Sequence, residues 1–144
     1  MEPQNFKNHV KFVPLFHFFS APVLILNFVW SCVRLWKSHF AIEGFLGVVV
    51  AAGLLTTLLS ARLAALAVQD RVIRLEEQLR YARLLPEDLK ARMGDFTIAQ
   101  IASLRFASDA ELPGLARKVL SENLQDRKQI KQMVQNWRPD YLRA

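Results

Sequence analysis

The chain is poor in the residues on which most small-protein chemistry depends. One cysteine, Cys32, stands among 144 residues, so a disulfide scaffold is excluded. The three histidines fall in residues 1–40, while all but two of the 13 acids lie beyond residue 69, so no His–carboxylate pair is evident. Five scattered glycines form no loop that would cradle a phosphate, and His and Cys do not occur at metal-ligand spacing. Cys32 has no base near it in sequence. Glu76-Glu77 and Glu87-Asp88 read as solvated helix faces rather than acid–base pairs. The expectation is a chain that is not an enzyme and takes no metal or cofactor.

Charge is missing as well, but only locally. Residues 12–33 and 44–61 contain no Asp, Glu, Lys or Arg, whereas residues 70–144 hold 14 of the 19 Lys+Arg and 11 of the 13 Asp+Glu. A single soluble globule and a disordered tail are both excluded by that split. The apolar half reads as membrane-embedded and the charged half as water-soluble.

The first run, residues 12–33, rises ~33 Å as a helix, enough for a ~30 Å hydrocarbon core. Lys7 and Lys11 bound it on one side and Arg34 and Lys37 on the other; Trp30, Trp36 and Phe40 suit an interface. It is too long for a removable signal segment, and the bulky Trp30 argues against lipoprotein processing at Cys32. The second run covers about residues 44–66, with Arg62 near its far end as a snorkelling anchor in contact with headgroups. Residues 34–43 then form a short connection, giving a hairpin. Lys7, Lys11, Arg71, Arg74, Arg80 and Arg83 on the terminal side outnumber Arg34 and Lys37 in the loop, which places both termini in the cytoplasm.

Within the spans, His17, Ser20, Asn27 and Ser31 share an arc of ~80°, and Gly53, Thr56, Thr57, Ser60, Ala64 and Ala67 one of ~100°. These stripes are expected to face each other, with Asn27 bonded to Thr56, Thr57 or an equivalent in a second copy. A polar path for a solute or proton is the alternative. His17 reads as structural rather than as a haem or metal ligand, because the second span has no matching histidine. Pro22 predicts a kink near residues 18–22.

No Gly or Pro interrupts residues 54–85, so the second span is expected to continue as one helix into a juxtamembrane segment, residues 70–85. Ala61, Ala65, Val68, Val72, Leu75, Leu79 and Ala82 follow a 4-3 heptad seam, with Arg71 and Glu76 at g and e′ positions of a parallel dimer. The same stripe could instead pack on the chain's own C-terminal helices. Asp70–Arg74 and Glu76–Arg80 are candidate i,i+4 pairs.

From Pro86 onward short helices are expected at 87–93 with Gly94 as a stop, at 97–106 from a Thr97/Gln100 capping box, and from a Ser108/Glu111 box to about 122. A last helix starts at Asp126, with Ile130, Met133, Val134 and Trp137 on one face, and ends at Arg138-Pro139. Leu104 and Phe106 are expected to meet Leu112 and Leu115 across the turn at Ala107-Ser108. The fold class is therefore all-α: residues 1–69 as N-terminal arm and transmembrane hairpin, residues 70–144 as a small cytoplasmic helical domain.

The blocks QNFKNHVKFVPLFHF, VQDRVIRLEEQLR, LRFASDAELP and DRKQIK…NWRPDYLRA resemble an uncharacterised family of small bacterial two-span membrane proteins, a domain-of-unknown-function family. The resemblance implies a bacterial inner-membrane location and carries over no catalytic or ligand residue.

The functional expectation is a non-enzymatic accessory or scaffolding subunit of a membrane complex, with a membrane-protein partner or a homo-oligomer. Its interaction residues would be Asn27, Arg71, Val72, Leu75, Glu76 and Leu79. The alternative is a membrane-tethered binding module whose basic C-terminal helix engages anionic lipid or nucleic acid. Arg127, Lys128 and Lys131, with Arg138 and Arg143 beyond, carry that reading, and Arg62 joins the first three as lipid-facing bases. Since residues 70–144 hold 14 bases against 11 acids, lipid headgroups fit better than nucleic acid.

Overall fold

The computed structural model describes residues 4–8 and 12–141. Lys11 and Arg143, named above for their charge, and His9, the first of the three histidines, lie outside the described residues. Among those described there are six α-helices and no β-strand: α1 (Ala21–Lys37), α2 (Ile42–Leu84), α3 (Glu87–Lys90), α4 (Ile98–Leu104), α5 (Leu112–Ser121) and α6 (Arg127–Gln132). The described residues fall into two compact units, one of residues 12–66 and one of residues 4–8 with 67–141.

Leu15–Lys37 in the first unit and the helix Ile42–Leu84, which begins there, are long and apolar enough to cross a membrane, and only 0% and 6% of their apolar windows are buried within the chain. They are thus not the core helices of a soluble globule. The irregularity expected at Pro22 takes the form of a π-helical segment, Leu15–Ser20, closed by the Ala21 N–H donating to the Phe16 carbonyl. Pro22 has no N–H to donate to Phe18, and a wider turn just before it relieves the crowding of its ring. The His17 Nδ1 lies 3.0 Å from the Val13 carbonyl oxygen, and the ring packs edge-on to Phe12 and Phe16.

The connection is only residues 38–41, shorter than expected, because α1 runs on through Arg34 and Lys37. It closes with two reciprocal bonds, His39 N–H to Trp36 O (3.2 Å) and Phe40 N–H to Leu35 O (3.1 Å). These are the bonds of a Schellman ending. His39 (φ 52°) and Phe40 (φ 64°) adopt the left-handed region that glycine usually occupies there.

The least exposed positions recur at Leu24, Phe28, Ser31 and Leu35 on α1 and at Gly44, Val48, Ala51, Leu55, Leu58 and Arg62 on α2. This is the 4-3 spacing of packed helices. Gly44 lies against Leu35, and the Arg62 guanidinium sits 5.5 Å from the centre of the Phe16 ring. The expected polar stripes therefore do not meet. Gly53, Thr56, Thr57, Ser60, Ala64 and Ala67 are all exposed on the other side of α2. Thr56 and Thr57 satisfy their hydroxyls on their own helix, at the Ala52 and Gly53 carbonyls, so neither needs a partner across a helix interface.

In the second unit, Tyr81, Leu85, Leu89, Phe96, Ile101, Leu104, Leu112, Val119 and Ile130 form one core. The Thr97/Gln100 capping box opens α4, and the Asp126 carboxylate accepts from the Lys128 and Gln129 N–H groups to open α6. Three expectations fail here. The 87–93 helix stops at Lys90, and Gly94 lies inside a separate 3₁₀ turn, Met93–Asp95, without a positive φ. The Ser108/Glu111 box does not form, because the Glu111 carboxylate instead accepts the Gln135 and Asn136 N–H groups. Helix α6 ends at Gln132, and Trp137 leaves it to stack on Phe106 with centroids 4.4 Å apart. Leu104, Leu112 and Leu115 do share the core, as their spacing suggested. The strand-like segment around Trp137 bonds back to the α4–α5 turn through Ser108 N–H to Asn136 O and Arg138 N–H to Phe106 O.

Candidate functional site

The part of α2 in the second unit has two faces with different duties. Ile73, Glu77, Arg80 and Tyr81 are buried, recurring every three or four residues, and on them the C-terminal helices pack. The heptad seam is on the opposite side: Val68, Val72, Leu75 and Leu79 are 60%, 48%, 59% and 63% exposed. Self-packing of the seam is thus overturned. The domain does lean on α2, but through the face that reads as more polar in sequence.

That buried face carries an ion-pair clasp. Arg80, 4% exposed, donates from Nε to Asp109 (2.8 Å), from Nη1 to Glu77 (3.1 Å) and from Nη2 to the Ala107 carbonyl (2.7 Å). Its charge thereby meets the C-terminal end of α4, where carbonyls lack helical partners. Glu77 accepts a second guanidinium, Arg138 at 3.1 Å, and Arg105 pairs with Asp140 at 3.3 Å. Gln4 completes the arrangement by accepting the Asp140 N–H (2.7 Å) and donating to the Asp140 carbonyl (3.1 Å). The N-terminal arm and the C-terminal segment are thus joined directly. Burial, and after it the Glu77 charge, pushes the Tyr81 phenol well above its ordinary value. The hydrogen bond from Arg117 holds the Asp88 carboxyl below its ordinary range, tying α5 to α3.

A cleft of about 600 Å³ opens beside the clasp, lined among others by Glu77, Arg80, Arg83, Arg105, Arg138 and Asp140. Two of its carboxylates, Glu77 and Asp140, are paired with guanidiniums, while Glu76 at its edge is exposed. Among the described residues no three His, Cys, Asp or Glu side chains gather where a metal ion would fit. Sequence reasoning missed the clasp, treating Glu77 as part of a solvated carboxylate pair. The available signal was the second periodic stripe of Ile73, Tyr81 and Leu84, with Glu77 and Arg80 in phase.

The singled-out residues are distributed as follows. Val72, Leu75 and Leu79 share the outward face of α2, flanked by exposed Arg71 and Glu76. Neither of the expected i,i+4 pairs forms: Arg80 takes Glu77 and Asp109, and Asp70 lies 3.9 Å from Arg127. Asn27 is exposed on α1, and its carboxamide does not reach Thr56 or Thr57, whose hydroxyls bond their own helix. Of the basic residues, Arg62 stacks over Phe16, Lys131 lies 5.3 Å from the Phe106 ring centre, Arg127 faces Asp70, and Lys128 is exposed.

No curated protein and no solved structure matches the chain. One family profile does, along residues 1–144, and the chain therefore belongs to the family of unknown function DUF6526.

Proposed function

We propose that this is a small integral membrane protein of the bacterial inner membrane, a two-span hairpin that presents a cytoplasmic helical domain as a non-enzymatic accessory or scaffolding subunit. Several observations support the membrane part. The apolar windows of both long helices are exposed, as lipid-facing surfaces are. Contacts at opposite ends, Gly44 with Leu35 and Arg62 with Phe16, suit antiparallel spans. The Gln4–Asp140 bonds favour both termini on one side, and the lysine and arginine bias makes that side cytoplasmic.

The observation that carries the subunit reading is the exposed Val68, Val72, Leu75 and Leu79 face, an apolar strip beyond the uncharged run that the chain's own domain leaves uncovered. The basic-module alternative is weaker, because Arg127 and Lys131 already face Asp70 and Phe106. The test is purification from native expression in a gentle detergent, with the intact-particle mass and its components determined. A particle of fixed stoichiometry containing another membrane protein is expected. A lone monomer, or a particle of this chain only, overturns the accessory role.

A further inference from the structure

We propose that residues 68–79 of α2 form the seam of a parallel homodimer, so that the partner of this face is a second copy of the chain. The inference rests on the membrane-hairpin reading above; it gives this face to a second copy, so any other subunit of the particle must meet the chain elsewhere. With Val72 and Leu79 at a and Val68 and Leu75 at d, the domain-facing residues Ile73, Glu77, Arg80 and Tyr81 fall at b, f, b and c. The domain therefore occupies the side of the helix that a two-stranded coil leaves free, and leaves open the side that such a coil covers.

Charge selects the occupant. The acids on the domain side are satisfied, Glu77 by Arg80 and Arg138. On the seam, exposed Arg71 and Glu76 have no ion pair among the described residues. Arg71 is a g position and Glu76 the e position five residues on, so in a parallel pair each Arg71 meets Glu76 of the other copy, twice by symmetry. An antiparallel pair sets g against g′ and e against e′ and loses this match. Two copies inserted in one membrane with the same topology must present α2 in parallel, which is the register the charges fit.

The test uses the full chain in native membranes with Cys32→Ser as background. Single cysteines at Leu75 (d) and at Arg74 (c, exposed but off the seam) are oxidised under mild conditions. Leu75→Cys should yield disulfide-linked dimer at least about ten-fold above Arg74→Cys, since the core positions a and d lie side by side in the pair and c does not. Adding Glu76→Arg to Leu75→Cys turns both attractive pairs repulsive and should lower the linked dimer about ten-fold, and Arg71→Glu on top should restore it. Equal crosslinking at the two positions, an adduct with a different protein, a trimeric mass, or no response to the charge reversal overturns the seam. Alkaline carbonate extraction separates the premises. A protein released by carbonate refutes the membrane reading itself; one that stays in the membrane without crosslinking refutes the dimer only.

Discussion

At Gly44 the first turn of α2 crosses the last turn of α1 so closely that a Cβ would lie 3.0 Å from Leu35 Cα and 2.9 Å from Ser38 Oγ. Backbone cannot step aside as a side chain can, so Gly44→Ala should destabilise the Leu35 contact by about 1–3 kcal/mol. At Gly53 nothing lies within 4 Å of such a Cβ, and Gly53→Ala should instead stabilise the helix by roughly 0.5–1 kcal/mol. Thermal unfolding of the two variants in one detergent checks the pair, which should shift in opposite directions. Tyr81 makes the other residue-scale case. Its hydroxyl is buried without a hydrogen-bond partner, so Tyr81→Phe should be neutral or stabilising by up to about 1 kcal/mol. The folded state also holds the phenol proton more tightly than the unfolded chain. The stability this contributes is complete below the ordinary phenol value of 10.0 and is lost as pH rises above it. The unfolding free energy measured at increasing alkaline pH should therefore fall less steeply for Tyr81→Phe than for the parent.

Helix by helix, what was legible in sequence was what local chemistry decides. Thr97 with Gln100 and Asp126 with its two following N–H groups were readable because each cap is made within four residues. Glu111 had the same local credentials but was claimed by Gln135 and Asn136, a contact no local pattern announces. The orientation of α2 was harder still. Its exposed stripe is purely apolar, and its buried stripe contains Glu77 and Arg80, so hydropathy alone ranks the faces in the wrong order. The face assignment has a direct consequence. Glu77→Ala leaves Arg80 buried with Asp109 as its only carboxylate and should destabilise the domain by about 3 kcal/mol. Arg74→Ala, on the exposed side, should change stability by less than about 0.5 kcal/mol. Denaturant unfolding of both variants decides it, and equal effects would mean the faces are misassigned.

For the whole molecule, the account is of a chain divided by solvent: one unit whose exposed surface is apolar, and one whose small core is held together with an ion-pair clasp. The division was visible in the charge distribution along the sequence, because residues 12–33 and 44–61 carry no charge at all. The clasp between the arm and the C-terminal segment was not, since Gln4 and Asp140 are 136 positions apart and neither stands out in composition. Together they make the transmembrane hairpin, with its termini on one side, the central claim. It is tested most directly by labelling single cysteines, Ser38→Cys in the connection and Ser121→Cys on α5, in a Cys32→Ser chain with a membrane-impermeant maleimide. In intact spheroplasts the connection should label and α5 should label only after permeabilisation. Equal labelling of both before permeabilisation, or labelling of α5 alone, would contradict the account.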